Sequence, residues 1–416
     1  MVSVPLGIYI SVPFCRTKCS YCNFASDVFS RAVFERYVDR VCADVEKAPQ
    51  VATEMGGQFE RGIDSIYLGG GTPTVLDAGQ LERIFNAVRQ HFAVEADAEV
   101  TVECAPGTLT ASVVESLLRC GVNRVSLGVQ SFVDQEAAAV GRLHKRATLL
   151  KDIARLRAAG ISNINIDLIA GLPHQTAESW AFSVTEAIAT GAQHVSVYML
   201  EVDEDSRLGR EVLAGGTRYH AHFVPDEDAT ADFYLAACGT LQSGGIAQYE
   251  ISNFAREGFG SRHNLKYWTR QPYFGFGVDA HSMLLSACAE VDSQEVEAVR
   301  FASADSLEQY MSESSLPWTI LPRTAVSRQA ALEESFFLGL RLVRGVDLKG
   351  LSAKFGDEAI NNARAAVAEL VEGGLMQRRE DFVSLTLKGR LLSNEVFQRF
   401  LSPIESSEAD RAAISR

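Results

Sequence analysis

Leu6-Gly7-Ile8-Tyr9-Ile10-Ser11-Val12-Pro13-Phe14-Cys15-Arg16-Thr17-Lys18-Cys19-Ser20-Tyr21-Cys22 joins a β-rich run to three cysteines spaced C-x3-C-x2-C. Leu6–Ile10 predicts a strand, and the cysteines then fall in the loop after it. The alternation continues downstream. Further short β-rich runs lie at Ile63–Leu68, Glu99–Glu103, Arg124–Gly128, Asn163–Leu168 and His194–Met199. Amphipathic stretches with helical spacing separate them: Val33–Lys47, Gln80–His91, Thr110–Cys120, Thr148–Ala159 and Glu178–Thr190. Two stop at glycine, in Cys120-Gly121 and Ala159-Gly160, which suits a helix C-terminus. Repeated βα units predict a parallel sheet with right-handed crossovers. Six units are too few for a closed eight-stranded barrel, so the expected fold class is α/β, a partial (β/α)6 barrel.

In such folds chemistry sits at the C-terminal ends of the strands. The candidate residues fall there: Gly69-Gly70-Gly71 after the second run, Glu103 ending the third, Gln130 after the fourth, Asp167 near the end of the fifth. Beyond Met199 the pattern is irregular, with Gly and aromatic residues dense in Gln248–Ser282. From Ala331 a second unit follows, with helices expected at Leu332–Val343 and Glu358–Glu372, then a hairpin and a short helix, a winged-helix-like α+β arrangement. The expected domains are 1–289, a connector over 290–325, and 326–416.

The formal net charge of −14 disfavours nonspecific nucleic-acid binding. From Val326 onward acidic and basic residues balance, so the excess lies upstream and the winged-helix-like unit suits docking or a lid better than DNA. No apolar run is long enough to span a bilayer, and the N-terminus lacks a basic segment followed by a long apolar one, so a cytoplasmic protein without a signal peptide is expected. Cys42, Cys104, Cys120, Cys238 and Cys288 have no metal spacing and read as inert small residues in a reducing compartment.

The other three carry the chemistry. Three thiolates in one tight loop suit three irons of a [4Fe-4S] cubane and leave the fourth without a protein ligand. An open metal position is what catalysis needs. The alternative is zinc, which would want a fourth protein ligand; no second paired set and no nearby His follows. Gly69-Gly70-Gly71-Thr72-Pro73-Thr74 lets the backbone approach a ligand closely and expose N–H groups. It is neither a P-loop nor a G-x-G-x-x-G frame.

C-x3-C-x2-C in the first βα loop resembles the signature of the radical-SAM superfamily. The resemblance implies S-adenosylmethionine (SAM) chelated to the open iron and cleaved by one electron from the cluster. It also implies a SAM pocket from the glycine motif and neighbouring strand ends: Tyr9, Tyr21, Gly70, Gly71, Thr72, Glu103, Gln130, Arg142 and Asp167. As isolated features the glycine turn, Gln130, Arg142 and Asp167 read more often as structural, Glu103 could equally be a capping or surface residue, and Tyr9 reads as readily as a core strand aromatic.

The likeness extends along the chain. YISVPFCRTKCSYCNF, YLGGGTPT, LGVQSF, GRLHKR, DLIAGLPHQT and SRHNLKYW are similar, in order, to the group that holds oxygen-independent coproporphyrinogen III dehydrogenase and the radical-SAM heme chaperones. In the dehydrogenase Arg142 and Asp167 would match residues contacting a second SAM. Two features favour the chaperone branch: Phe24 stands where the dehydrogenase has a fourth Cys, and only 14 residues precede Cys15 where it has a long extension. His263-Asn264-Leu265-Lys266-Tyr267-Trp268 resembles the chaperone hallmark H-N-x-x-Y-W, which implies His263, Asn264, Tyr267 and Trp268 as heme-binding candidates. His ligates iron and aromatics stack on porphyrins, but the same string also reads as a core-filling loop. His220 and His222 read as solvated, and His281 as a residue at a pocket mouth. The resemblance implies heme and apo-hemoproteins, respiratory ones among them, as partners, an electron donor such as flavodoxin, and peripheral membrane contact.

Overall fold

The computed structural model describes residues 4–288, 290–291, 294–312 and 323–402. They divide into two compact units, residues 1–267 with 271–326, and residues 268–270 with 327–416.

The larger unit opens with β1 (Leu6–Val12), β2 (Gly62–Gly70), β3 (Ala93–Cys104), β4 (Arg124–Gln130), β5 (Asn163–Ala170) and β6 (His194–Met199). Each pairs in parallel with the next. A doubly wound sheet reverses its order at a switch point; this one never does, which is how a barrel wall winds. The helices between the strands are α1 (Phe34–Glu54), α2 (Ala78–His91), α3 (Ala111–Arg119), α4 (Asp134–Ala139), α5 (Arg146–Ala158) and α6 (Ala177–Ala189). Local chemistry starts them: Asp77 and Gln80 form a capping box on α2, and Thr176 with Ser179 forms one on α6.

The wall stays open. The free edge of β6 takes β8 (Asn253–Ala255), which also holds the short β7 (Ala247–Gln248). The free edge of β1 takes β9 (Tyr273–Phe276) in parallel, then β10 (His281–Leu285), and the order runs on to β11 (Glu290–Val291) through β12 (Gln294–Ala302). The segment 294–302, expected within the connector, is therefore a sheet strand, with Val296 and Ala298 buried on one face and Val299 and Phe301 on the other. Within the expected connector Leu307–Ser312 is also a short helix, while 313–322 lies outside the described residues.

Alternation with period two gives the β1–β6 wall two faces. Ile8, Ile10, Ile66, Leu68, Val100, Val102, Val125, Leu127, Ile164 and Ile166 are all buried on the apolar face. The opposite face is polar. Register sets Tyr9 beside Tyr67, Tyr67 beside Thr101, Glu103 beside Ser126, Ser126 beside Asn165 and Asp167 beside Ser196. This lining positions the site.

Three features exceed the sequence reading. α1 continues through Pro49, because the buried Ala48, Val51 and Ala52 offset the lost backbone donor. After α7 (Arg207–Leu213), α8 (Glu227–Ser243) is a helix with no strong periodicity, since Ala, Thr, Gly and Cys dilute its stripe of Phe233, Tyr234, Ala237 and Leu241. The Gly- and aromatic-rich stretch holds α9 (Arg262–Trp268) and β9.

In the smaller unit, helices Arg328–Phe337, Leu348–Phe355 and Asn361–Glu372 accompany an antiparallel sheet of Val346–Asp347, Phe382–Leu385 and Met376–Arg379. This is the winged-helix-like arrangement, with two short helices, Leu387–Leu391 and Ser393–Gln398, after the hairpin where one was expected, and Leu348–Phe355 as an extra helix before it. Asp347 caps that extra helix through Lys349 N. Trp268–Arg270 belong to this unit: Arg270 Nε meets Glu334 Oε2 at 2.7 Å, and the Arg341 guanidinium lies over the Trp268 ring at 4.3 Å.

Candidate cluster and cofactor site

The cysteine loop is tied at both ends and across its middle. Cys15 N donates to Asp27 O and Asp27 N to Pro13 O, both at 2.9 Å, so the loop closes on itself like a pair of strands. Lys18 Nζ donates to Phe24 O at 2.7 Å and Ser26 O at 2.6 Å. Arg207 Nη2 donates to Lys18 O and, at 3.5 Å, to Cys19 O. Phe14 stacks on Phe34 with ring centroids 4.0 Å apart and anchors the loop in the core.

Each sulfur then meets a polar partner: Thr72 Oγ1 lies 3.8 Å from Cys15 Sγ, Arg142 Nη1 3.6 Å from Cys19 Sγ, and Ser26 Oγ 3.9 Å from Cys22 Sγ. Burial pushes the Cys15 thiol up; Thr72 and Ser26 pull it back, and the neighbouring Cys22 and Cys19 push it up again. Thiolates crowded in this way call for a cation to neutralise them. Among the described residues no three His, Cys, Asp or Glu side chains converge to hold one metal ion. A cubane asks for something else, one thiolate to each of three iron corners.

The glycine motif packs onto this loop. Gly71 N donates to Val12 O and Thr72 N to Phe14 O, each at 2.8 Å. A Cβ on Gly71 would stand 2.8 Å from the carbonyl oxygens of Val12 and Phe14 and 3.1 Å from Cys15 Sγ. These two N–H groups are therefore spent on the loop, which corrects the expectation that the motif exposes them to a ligand. Its glycines serve close backbone approach. Gly70, at φ 97°, adopts a conformation L side chains avoid, and its Cβ would meet Ser11 Oγ at 2.8 Å.

The polar lining supplies the rest. Tyr67 Oη donates to Glu103 Oε1 at 2.7 Å. Burial lifts the Glu103 carboxyl to about 7, against the pull of Tyr67 and with a further push from Asp167. Asp167 is also raised by burial, although Ser196, Ser126 and Asn165 hydrogen-bond it. Gln130, at φ 70° and 9% exposed, ends β4 where the β4–β5 register shifts. Its Oε1 has no hydrogen-bond partner, nor has Arg142 Nε. A strained, nine-tenths buried amide with an unused oxygen at a strand's C-terminal end fits a ligand-binding role. Arg142 Nη2 donates to Gly128 O, placing the guanidinium between β4 and Cys19. Tyr21 packs instead toward an apolar cluster of Val140, Ile169, Leu172 and Leu208, its phenol held protonated by burial.

Tyr9, Ser11 and Gly70 share a cavity of about 270 Å³ with Phe24, Tyr267 and His281. His281 stands at its exposed rim, as expected. Tyr267 reaches this cavity, but His263 does not line it. His263 is 1% exposed, with Nδ1 3.1 Å from Ser65 Oγ and Nε2 2.8 Å from Tyr267 Oη. Burial drives its imidazole down to about 3, with Lys266 adding to the effect, so the ring is neutral. Both nitrogens hydrogen-bond within the protein, as the core-filling reading of the string describes. His263 fixes α9 against β2, aided by Lys266 Nζ on Asp64 Oδ1 at 2.7 Å and by Glu99 on the N–H of His263. Asn264 N lies 3.3 Å from Ser261 Oγ in the same turn, whereas Trp268 belongs to the smaller unit.

Residues 9–184 match the Radical SAM superfamily, and residues 326–392 the HemN C-terminal domain. The heme chaperone HemW of Bacillus subtilis is 33% identical over 95% of this chain and 99% of its own length. The chain belongs to the heme chaperone HemW family. HemW of Lactococcus lactis is 31% identical over 96% of the HemW-family chain and 98% of its own. A solved structure, coproporphyrinogen III oxidase (HemN) from Escherichia coli, a radical SAM enzyme, superposes with a TM-score of 0.79 at 23% identity, covering 95% of this chain and 90% of that one. That likeness carries the fold.

Several site residues of this HemW-family chain escaped the sequence reading: Ser11, Tyr67, Ser126, Asn165 and Ser196 on the lining, and Lys18, Ser26 and Arg207 on the loop. The lining was visible as strict alternation, as in Asn163-Ile164-Asn165-Ile166-Asp167. Arg207, far along the chain from the loop it clamps, had no local signature.

The Glu103 carboxyl carries a pH signature. Its folded value near 7 exceeds the ordinary carboxyl range, so between about 4.5 and 7 the folded chain keeps a proton that the unfolded chain releases. Glu103 therefore favours the folded state at low pH, and that contribution is lost as pH rises through this window. In urea titrations of the metal-free protein, Glu103→Gln should flatten the loss of stability over this window, by at most ~3 kcal/mol. An unchanged slope would mean Glu103 is not titrating there.

Proposed function

We propose that this chain is a radical-SAM heme chaperone, which binds heme and passes it to apo-hemoproteins. In this reading Cys15, Cys19 and Cys22 hold a [4Fe-4S] cluster and SAM takes its open iron. The observation that carries it is a three-thiol loop in a chain that matches a curated heme chaperone over 99% of that protein's length. The cluster with SAM, once bound, supplies one-electron chemistry. The chain's own residues do the rest. Thr72, Arg142 and Ser26 would each stabilise one thiolate, and Lys18 and Arg207 would hold the loop rigid. Gly70 and Gly71 would let SAM lie close to the loop, with Tyr9, Thr72, Glu103, Gln130 and Asp167 around it and Tyr21 behind. Glu103 would accept from ribose hydroxyls.

Support for a cytoplasmic protein served by a flavodoxin-like electron donor, with respiratory apo-hemoproteins as clients reached by peripheral membrane contact, comes from the family resemblance. No helix among the described residues is long and apolar enough to cross a membrane.

The competing activity is decarboxylation of coproporphyrinogen III. Phe24, where the dehydrogenase has a fourth Cys, is 66% exposed at the rim of the Tyr9 cavity and offers no thiol there. Anaerobically reconstituted protein should bind heme, and should not convert coproporphyrinogen III to protoporphyrinogen IX with SAM and a reductant. Steady product formation would overturn the chaperone reading.

A further inference from the structure

A second, larger cavity, about 670 Å³, opens against the cysteine loop, and among the described residues it shares no lining with the Tyr9 cavity. The loop forms one wall. Lys18 and Ser20, the neighbours of Cys19, line it, and so does Gly141, where a Cβ would stand 3.7 Å from both Cys19 Cα and Lys18 O. Arg207 and the turn that ends at Phe223 form the other wall.

This second wall is fastened to the first. Leu208 N donates to Ser20 O at 2.8 Å, and Arg207 Nη2 donates to Lys18 O and Cys19 O. Ser20 N in turn donates to Val140 O at 3.1 Å. The cavity therefore reaches the backbone on either side of Cys19, one residue from a thiol of the cluster loop.

Its lining carries one sign of charge. Lys18 and Arg207 make their hydrogen bonds to neutral carbonyl oxygens, which leave both charges in place. Arg218, between the lining residues Thr217 and Tyr219, is exposed. No Asp or Glu is among the described lining residues. The acidic run 201–205 lies just before α7 but contributes nothing to the lining; Asp203 accepts from Asn23 Nδ2 and from the N–H groups of Asp205 and Ser206. The result is a basic concavity on a chain whose net charge is −14.

Its centre is aromatic. Tyr219 and Phe223 are 38% and 48% exposed, and the Arg207 guanidinium lies over the Tyr219 ring at 5.5 Å. The buried Ala221 pins the turn between them, and Tyr219 and His220 hold the left-handed φ of 54° and 61° that such an anchor sustains. Exposed Tyr, Phe and Arg inside a charged rim is the composition of a protein-binding patch. Its basic charge selects an acidic partner face and speeds the encounter. A concave wall also suits a protruding protein surface better than a flat bilayer.

Position assigns the task. One-electron chemistry at the cysteine loop needs an electron from outside the chain, and SAM would lie on the side of the Tyr9 cavity. We infer that the larger cavity is the electron-entry port, where an acidic one-electron carrier protein docks on Lys18, Arg207, Arg218 and the turn 219–223. The carrier is oxidised by one electron and the cluster beside Cys19 is reduced by one, from the 2+ to the 1+ state, with no bond made or broken. The inference rests on the radical-SAM reading and names the surface its reductant uses.

The probe is an acidic flavodoxin, titrated calorimetrically into the full-length metal-free chain and into its Arg218→Glu/His222→Glu variant, with circular dichroism to verify folding. The wild-type chain should bind saturably and lose affinity severalfold between about 0.05 and about 0.3 M salt. The variant, with two carboxylates on the port, should bind on the order of tenfold more weakly at low salt. After reconstitution, flavodoxin-driven SAM cleavage should fall in the variant while dithionite-driven cleavage is unchanged. Equal affinity in the variant, or no saturable binding by the wild-type chain, would overturn the inference. So would loss of binding to phosphatidylglycerol vesicles with flavodoxin binding retained, because the patch would then face a membrane. A chain that assembles no cluster would overturn the radical-SAM reading instead, and the affinities of the metal-free chain would still decide the port.

Discussion

Cys19→Ser should abolish the iron–sulfur absorbance and SAM cleavage while the chain stays folded. Cys19 is 7% exposed and is the sulfur that the Arg142 guanidinium addresses. A serine hydroxyl is a harder donor that does not ionise at neutral pH, so one of three iron corners would lose its ligand. With one corner already open to SAM, the cubane would then stand on two thiolates. The fold does not depend on that bond. The loop is held by the Cys15–Asp27 backbone pair, by Lys18, by Arg207 and by Phe14 in the core, none of which uses the Cys19 sulfur. Visible absorbance, iron content and methionine release after reduction check the first half, and a melting temperature within a few degrees of wild type checks the second. Retained absorbance and cleavage would remove Cys19 from the ligand set.

Gly71→Val should be as damaging to the site by a different route. The new Cβ would meet two carbonyl oxygens at 2.8 Å, and these are backbone atoms that no rotamer change can move. Relief requires the end of β2 to lift off the cysteine loop. That breaks the Gly71–Val12 and Thr72–Phe14 hydrogen bonds, with a stability loss of about 3 kcal/mol or more. Thr72 would also leave Cys15. The expected result is a lower urea midpoint in the metal-free protein and poor cluster loading. Gly239→Ala is the control: in the middle of α8 a Cβ there meets nothing within 4 Å, so the substitution should raise stability by ~0.5–1 kcal/mol. A Gly71→Val protein as stable and as cluster-competent as wild type would refute the packing role given to the motif.

What the sequence disclosed depended on whether the information was local. Cysteine spacing, six strand runs and capped helices are written within short windows, and the barrel wall follows from them. The strand ends that gather Gly70, Glu103, Gln130 and Asp167 follow from the parallel order. Contacts across long separations do not. Nothing near His263 announces Ser65 as its partner 198 residues away, so the tie it makes between α9 and β2 could not be read from the sequence. His220 and His222, read as solvated, are exposed; only the anchor between them, the buried Ala221, was not legible. The helix α8 was missed because small residues thin its apolar stripe, and the strand at 294–302 because it lies beyond an irregular stretch.

The central claim is a cubane on three thiolates with a corner left for SAM. Electron paramagnetic resonance of the anaerobically reconstituted, reduced protein, taken with and without SAM and paired with iron and sulfide assays, tests it most directly. The account predicts [4Fe-4S] stoichiometry and a reduced-cluster signal that changes when SAM is added. A chain that takes up zinc in place of iron, or a cluster whose signal ignores SAM, would contradict it.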